Sequence, residues 1–239
     1  MERSSVLVLT GAGISADSGV ATFRGAGGLW EGKRIEDVAT PRAWRRDPEA
    51  VWRFYQLRRA ALATVAPNAA HVALAELERE LARRGHAFTL VTQNVDDLHE
   101  RGGSEPLHMH GTLFHLRCEA CGARVEDREH VDPAAFVPCA ACGFERMRPD
   151  VVWFEELPYH LDAIDARLTR CTHFAAIGTS GHVWPAAGYL ATARALHART
   201  FVLGLEAPEN LDPRDEFRAG RAVDVVPTWC AELVEALAR

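Results

Sequence analysis

The chain has 239 residues, of which 48% are hydrophobic and 25% charged, with a formal net charge of −6. Such a length and apolar content suit one large domain, or one domain with a smaller insertion, built around a substantial core. The acidic balance argues against nucleic-acid binding driven by overall phosphate neutralisation, and no direct nucleic-acid partner is expected.

The first residues carry no long apolar segment ahead of a small-residue cleavage site. No uncharged apolar run reaches the roughly 18 residues of a spanning helix. A cytoplasmic protein without a membrane partner is therefore expected. In that compartment, six cysteines suggest metal or redox use rather than a disulfide framework.

In chain order, Val6-Leu7-Val8-Leu9 reads as a strand, Thr10-Gly11-Ala12-Gly13 as a tight turn, and a helix is expected to start next. Residues 31–62 look helical, with no strand of their own. Residues 71–84 place Val72, Leu74, Ala75, Leu77 and Leu81 at helical spacing and stop at Gly85. Residues 88–92 read as a buried strand. Apolar runs at 174–177, 201–203 and 223–226 are further strand candidates, alternating with helical stretches at 186–196 and 230–237. This alternation predicts an α/β fold with a mostly parallel sheet covered on both faces. Residues 31–62 and 112–149 break the rhythm and read as a helical module and a cysteine module of a small inserted domain. The large domain then comprises 1–30, 63–111 and 150–239.

Gly11-Ala-Gly13-Ile-Ser15-Ala16 satisfies G-x-G-x-x-G/A, in which glycines let backbone amides approach a pyrophosphate. The usual acidic residue about 20 positions later is not evident. A glycine-rich loop running to Trp30 follows instead, which strains a simple dehydrogenase reading. Cys118-x2-Cys121 and Cys139-x2-Cys142, 17 residues apart, form two knuckles suited to one tetrahedral Zn²⁺. Four thiolates leave no open position for water, so the metal is expected to be structural. Cys171 and Cys230 lie outside the pattern and read as small core residues.

Thr92-Gln93-Asn94-Val95-Asp96-Asp97-Leu98-His99 stands at the carboxyl end of a strand, where parallel sheets bind ligands. Asn94 or Asp96 could equally cap the following helix. Leu107-His108-Met109-His110-Gly111 puts two histidines at strand spacing on one face.

These pieces, with Gly11-Ala-Gly-Ile-Ser-Ala-Asp-Ser-Gly19, Thr22-Phe-Arg24, Val151-Val-Trp-Phe154 and Gly178-Thr-Ser180, resemble the sirtuin family in motif and order over nearly the whole chain. The resemblance implies a Rossmann-type large domain and a small domain of zinc ribbon plus helices, with NAD and acyl-lysine meeting between them. It implies an NAD-dependent protein-lysine deacylase acting on acyl-lysine proteins or peptides, with one structural Zn²⁺ per chain, and a monomer is expected. The NAD-contacting residues it implies are Gly11, Ala12, Gly13, Ser15, Asp17, Phe23, Arg24, Trp30, Gln93, Asn94, Val95, Asp96, Gly178, Thr179, Ser180, Gly204, Leu205, Glu206 and Ala222. His110, Asn94 and Asp96 would be catalytic. In the family mechanism the amide oxygen of the substrate attacks the ribose carbon as nicotinamide leaves. His110 then serves as base toward the ribose hydroxyls, and Phe23 keeps water out.

Tyr55 and Arg58 are three apart on a helix face with Val51 and Leu62. The pair resembles the Tyr-x-x-Arg of class III sirtuins, which accept succinyl- and malonyl-lysine, because a guanidinium can grip the acyl carboxylate. Val151, Val152, Trp153 and Phe154 are the expected peptide-binding strand. Three positions depart from the family pattern. Glu155 stands where glycine is usual, Gly204 where asparagine is common, and Trp184 where tyrosine is usual. Rival readings are mono-ADP-ribosyl transfer on the same fold, a non-catalytic acyl-lysine reader, and an NAD-linked oxidoreductase. For the last, too little chain remains for a substrate domain.

Overall fold

The computed structural model describes residues 3–21, 29–30 and 33–238, with the backbone alone at 29–30. Strand β1 spans Ser5–Thr10 and is followed by two single 3-10 turns, Ala12–Ile14 and Ala16–Ser18. The helix expected after the glycine turn is therefore not α-helical. Gly13 packs too closely on another strand end, and Gly19 turns the chain away at φ 92°. An antiparallel pair of β2 (Leu29–Trp30) and β3 (Lys33–Arg34) comes next, and β3 is a strand inside the stretch 31–62 read as purely helical. Helices α1 (Ile35–Val38), α2 (Pro41–Arg46), α3 (Pro48–Leu62) and α4 (Ala69–Arg83) follow. Then come β4 (Ala87–Thr92), α5 (Leu98–Gly102), β5 (Leu107–His108), β6 (Gly111–Arg117), β7 (Arg124–Glu126) and β8 (Arg148–Val151). The chain ends with α6 (Leu161–Leu168), β9 (His173–Ile177), α7 (Ala186–Ala195), β10 (Arg199–Gly204), β11 (Glu216–Ala219) and α8 (Ala222–Ala236). The apolar run 223–226, read as a strand, lies inside α8, and the sixth strand is β11.

Six parallel strands form the main sheet in the order β11-β10-β9-β1-β4-β5. Numbered within the sheet, this is 6-5-4-1-2-3, the doubly wound dinucleotide-binding order, whose direction switches between β1 and β9. One face packs on α4 and α8 through Leu74, Leu77, Leu81, Val226, Trp229 and Leu233. Each such large side chain contributes about 1.5–3 kcal/mol on full burial. The other face packs on α6 and α7 through Ile164, Leu168, Tyr189 and Leu190.

A second core joins α1, α2 and α3 to the antiparallel sheet β7-β6-β8. Trp44, Trp52, Tyr55, Leu113, Leu116, Met147 and Trp153 fill it, together with Cys118 and Cys139. The helical stretch and the cysteine stretch, far apart in sequence, thus share one apolar centre. Among the described residues, no helix is long and apolar enough to cross a membrane.

Candidate active site

The sheet's switch point brings the glycine turn against the end of β9. Gly11 N–H donates to the Ile177 carbonyl at 3.0 Å and Gly13 N–H to the Gly178 carbonyl at 2.9 Å. A Cβ on Gly13 would stand 2.7 Å from the Gly178 Cα, and Gly178 itself holds φ 61°. Only glycine permits this approach of two backbones, and it leaves a surface free of side chains at the end of β1. Ala12 is half-buried in the turn, while Asp17 is exposed with its carboxylate 3.5 Å from Arg221. Phe23 and Arg24 lie outside the described residues. Trp30 is described only as backbone, in β2.

The end of β4 supplies the polar side of the crevice. Gln93 donates through Nε2 to Thr179 Oγ1 at 3.1 Å, tying two predicted cofactor residues together. Asn94 is buried and donates through Nδ2 to the Gly11 carbonyl (3.3 Å) and to Ser15 Oγ (3.1 Å). Ser15 donates in turn to Asp96 Oδ2 at 3.0 Å, and Asp96 Oδ1 accepts the Leu98 N–H at 3.1 Å. Burial pushes the Asp96 carboxyl up, against the Leu98 and Ser15 bonds and the nearby His108. The capping reading of Asp96 therefore holds, since it satisfies an amide at the start of α5, and its second oxygen braces Ser15. Val95 presents its carbonyl to Leu113 N–H at 2.9 Å, at the root of β6.

Beneath this layer sit two histidines that sequence reasoning did not single out. His71 Nδ1 accepts the Asn68 N–H at 3.3 Å in the capping box of α4, so its protonated Nε2 faces Ser15 Oγ at 3.4 Å. His99 Nε2 lies 3.0 Å from Thr10 Oγ1, and the two rings meet edge to face at 4.9 Å. Burial lowers His71 to about 4. It takes His99 well below the ordinary histidine value, helped by the charges of His71 and His108. The sequence marks His71 only by its place on the apolar face of α4, which any core residue of that helix shares.

His110 is half-buried at the junction of β5 and β6, with Nδ1 3.0 Å from the Gln93 carbonyl. A carbonyl only accepts, so Nδ1 carries the proton and Nε2 keeps its lone pair. Burial lowers the pKa of the ring against the opposing pull of that carbonyl. His110 is thus a neutral imidazole with an acceptor nitrogen available for a substrate hydroxyl. Its placement is rigid, because Gly111 at φ 75° packs on the Asp150 carbonyl and Val152 N–H donates to the His110 carbonyl at 2.8 Å.

Arg58, buried on α3, lines a small cleft with Gly19, Val20, Ala21, Ala61, Leu62 and Val65. The segment after the second 3-10 turn and helix α3 therefore share this opening. Tyr55 Oη accepts the Trp153 indole N–H at 2.9 Å, and burial raises the phenol. Trp153 and Val151 are core residues, Val152 is half-buried, and Phe154 is exposed. Of the expected peptide strand, Trp153 is buried against Tyr55, and Phe154 is its most exposed member. Ser180, Leu205 and Glu206 are exposed on loops at the carboxyl ends of β9 and β10. Gly204 accepts the Gly220 N–H at 3.0 Å, and Ala222 is buried at the start of α8.

The four cysteines lie apart from the crevice. Seven residues of β6 separate them from it, roughly 20 Å of strand. Their sulfurs all fall within 4.8 Å of one another, with Cys118–Cys142 and Cys121–Cys139 at 3.7 Å. A tetrahedron with zinc–sulfur bonds of about 2.3 Å has edges of about 3.8 Å, so the donor set fits Zn²⁺. Both knuckles fold alike, with Cys118 N–H donating to Ala123 and Cys139 N–H to Phe144, each at 2.8 Å.

The family match and the relatives agree with this architecture. The Sir2 family matches residues 11–185. An NAD-dependent protein deacylase of Caulobacter vibrioides is 47% identical over 234 residues, covering 97% of this chain and 98% of that one. The NAD-dependent protein deacylase of Escherichia coli strain K12 is 47% identical over 99% of this chain and 85% of its own. Among solved structures, a Sir2 homologue in complex with NAD superposes with a TM-score of 0.86 at 35% identity, covering 99% of this chain and 98% of that one. A doubly wound sheet, a four-cysteine ribbon and these matches converge on one conclusion: the chain belongs to the Sir2 family.

Proposed function

We propose that the protein is an NAD-dependent protein-lysine deacylase that releases nicotinamide and moves the acyl group onto ADP-ribose. NAD supplies the ribosyl carbon that takes the acyl oxygen and the hydroxyls that later receive the acyl group. In this reading the Gly11–Gly13 turn and Gly178 hold the phosphates, Gln93, Asn94 and Asp96 receive the nicotinamide end, and Gly204 to Glu206 lie along the adenosine end. The observation that carries it is His110, whose Nδ1 is occupied by the Gln93 carbonyl while Nε2 remains basic at the mouth of this crevice. That nitrogen can take a proton from a ribose hydroxyl without first losing one of its own. His110→Ala should cut product formation by 10²-fold or more, the usual contribution of a general base. The fold should be retained, as read by circular dichroism. A non-catalytic reader of acyl-lysine would bind peptide equally with and without this change and release no nicotinamide.

The acyl preference includes succinyl- and malonyl-lysine beside acetyl-lysine. Supporting this, Arg58 stands in the cleft between residues 19–21 and α3, on the same helix as Tyr55, where a carboxylate-bearing acyl chain can be met by a planar guanidinium. Relatives are named protein deacylases without a stated acyl group, and one solved Sir2 protein of 28% identity is bound to a myristoylated histone peptide. Acylated proteins or peptides are accordingly the substrates proposed here.

A further inference from the structure

His108 plays no part in the mechanism above, yet it is placed as carefully as His110. Both side chains leave β5 and the following turn on the same side and reach two successive carbonyls. His110 Nδ1 meets Gln93, and His108 Nδ1 meets Asn94 at 3.0 Å. The second nitrogen of His108 faces the Glu100 carboxylate of α5 at 2.6 Å. Both neighbours accept and neither donates, so a ring that satisfies both must carry two N–H groups and a positive charge. The short distance to Glu100 is that of a charge-assisted bond.

We propose that His108 is a positioning residue that works as a cation, strapping the turn at residues 93–96 to helix α5 and so fixing the groups that receive NAD. The turn leaves β4 with Gln93, Asn94 and Asp96 and must hold them against the Gly11–Gly13 loop. Asn94 bonds the Gly11 carbonyl and Ser15, and Asp96 accepts from Ser15. His108 adds a hold from the side of α5, through the Asn94 carbonyl and Glu100. Its charge also offsets the cost of the buried Asp96 carboxylate, which burial otherwise pushes toward its neutral form.

Charged groups around the ring favour the cation. Burial opposes it, but the Glu100 bond and charge, the Asn94 carbonyl and the Asp96 charge hold His108 above the ordinary histidine value. His99 of α5 and His160 at the start of α6 also feel the ring's charge, and both are held low. With the folded pKa raised, the strap is complete below the ordinary value of about 6.5 and is lost as pH climbs through the raised value. His108 thus sets an alkaline limit on NAD binding.

The inference rests on the NAD-consuming reading, and its test separates the two. Histidine ring signals recorded by NMR on the native protein should show His108 doubly protonated at pH 7. In Glu100→Gln its titration should move to lower pH. Calorimetry should show NAD binding weakened about tenfold in His108→Gln, the size of one charge-assisted hydrogen bond, with a flat response above neutral pH where the native affinity falls. Glu100→Gln, a change on a half-exposed carboxylate, should bring the native fall to lower pH with the melting curve preserved. A neutral His108 ring at pH 7 overturns the proposal, as does unchanged NAD affinity and pH profile in both variants. Absence of nicotinamide release by the native protein would instead contradict the deacylase reading and leave these binding measurements able to decide the strap.

Discussion

Glu155 holds a left-handed backbone, φ 76°, at the position where glycine is usual in the family. A side chain in that region costs about 1–2 kcal/mol relative to glycine. Its partial compensation is the ion pair with Arg42 at 2.6 Å, but both side chains are at least half exposed, and such pairs contribute roughly 0–1 kcal/mol. Glu155→Gly should therefore stabilise the protein by up to about 1 kcal/mol. Urea unfolding would read this as a higher midpoint with an unchanged slope, and a lower midpoint would mean that the pair outweighs the strain. At His110 the sign of the pH response follows from burial, which lowers the ring's pKa. The base is active when neutral, so turnover should rise through a pH below the ordinary value of about 6.5 and then level off before any alkaline limit. A pH–rate profile with the acid limb above that value contradicts the assignment.

At the scale of elements, the four-cysteine ribbon joins its metal site to a core. Cys118 and Cys139 are buried in the same cluster as Trp44, Trp52 and Trp153. Removing the metal should loosen β6, β7 and β8 and expose those indoles, since zinc contributes on the order of 10 kcal/mol to small folds of this kind. Chelation or Cys139→Ser should red-shift tryptophan emission and abolish turnover, whereas unchanged emission after verified zinc loss would show that the apolar core suffices. Elements with strong periodicity were legible in the sequence. Residues 71–84 became α4 almost to the residue, and the runs at 88–92, 174–177 and 201–203 became β4, β9 and β10. The run at 223–226 misled because valines in an apolar helix look like a strand when only four residues are weighed. Strand β11 was hidden because Glu216 and Arg218 alternate around Phe217 on an edge, where charge is tolerated. The 3-10 turns after Gly13 follow from its contact with Gly178, which is 165 residues away in the chain and has no local signature. In the site, His110 and Gln93, Asn94 and Asp96 could be named from sequence. His71 could not, because a buried histidine on a helix face looks like any core position, and the bond between Tyr55 and Trp153 joins elements that only the fold brings together.

Across the whole molecule, two cores meet where β4, β5 and β6 pass from one to the other. Helix α3 lines a small cleft together with Gly19 to Ala21 and Val65. This places Arg58 beside Gly19, Val20 and Ala21, the segment that follows the second 3-10 turn. Arg58→Met should lower kcat/KM for succinyl-lysine peptide by about 10²-fold while changing that for acetyl-lysine peptide less than about tenfold, the difference being one bidentate charge-assisted contact. Equal losses on both substrates would remove the acyl assignment while leaving deacylation intact. The central claim is that NAD is cleaved here, not reduced, and its most direct test is one incubation. The native protein is mixed with NAD and acetyl-, malonyl- or succinyl-lysine peptide and followed by mass spectrometry. The account predicts equal amounts of nicotinamide, unmodified lysine peptide and acyl-ADP-ribose. An intact nicotinamide–ribose bond, or the formation of NADH, would contradict it.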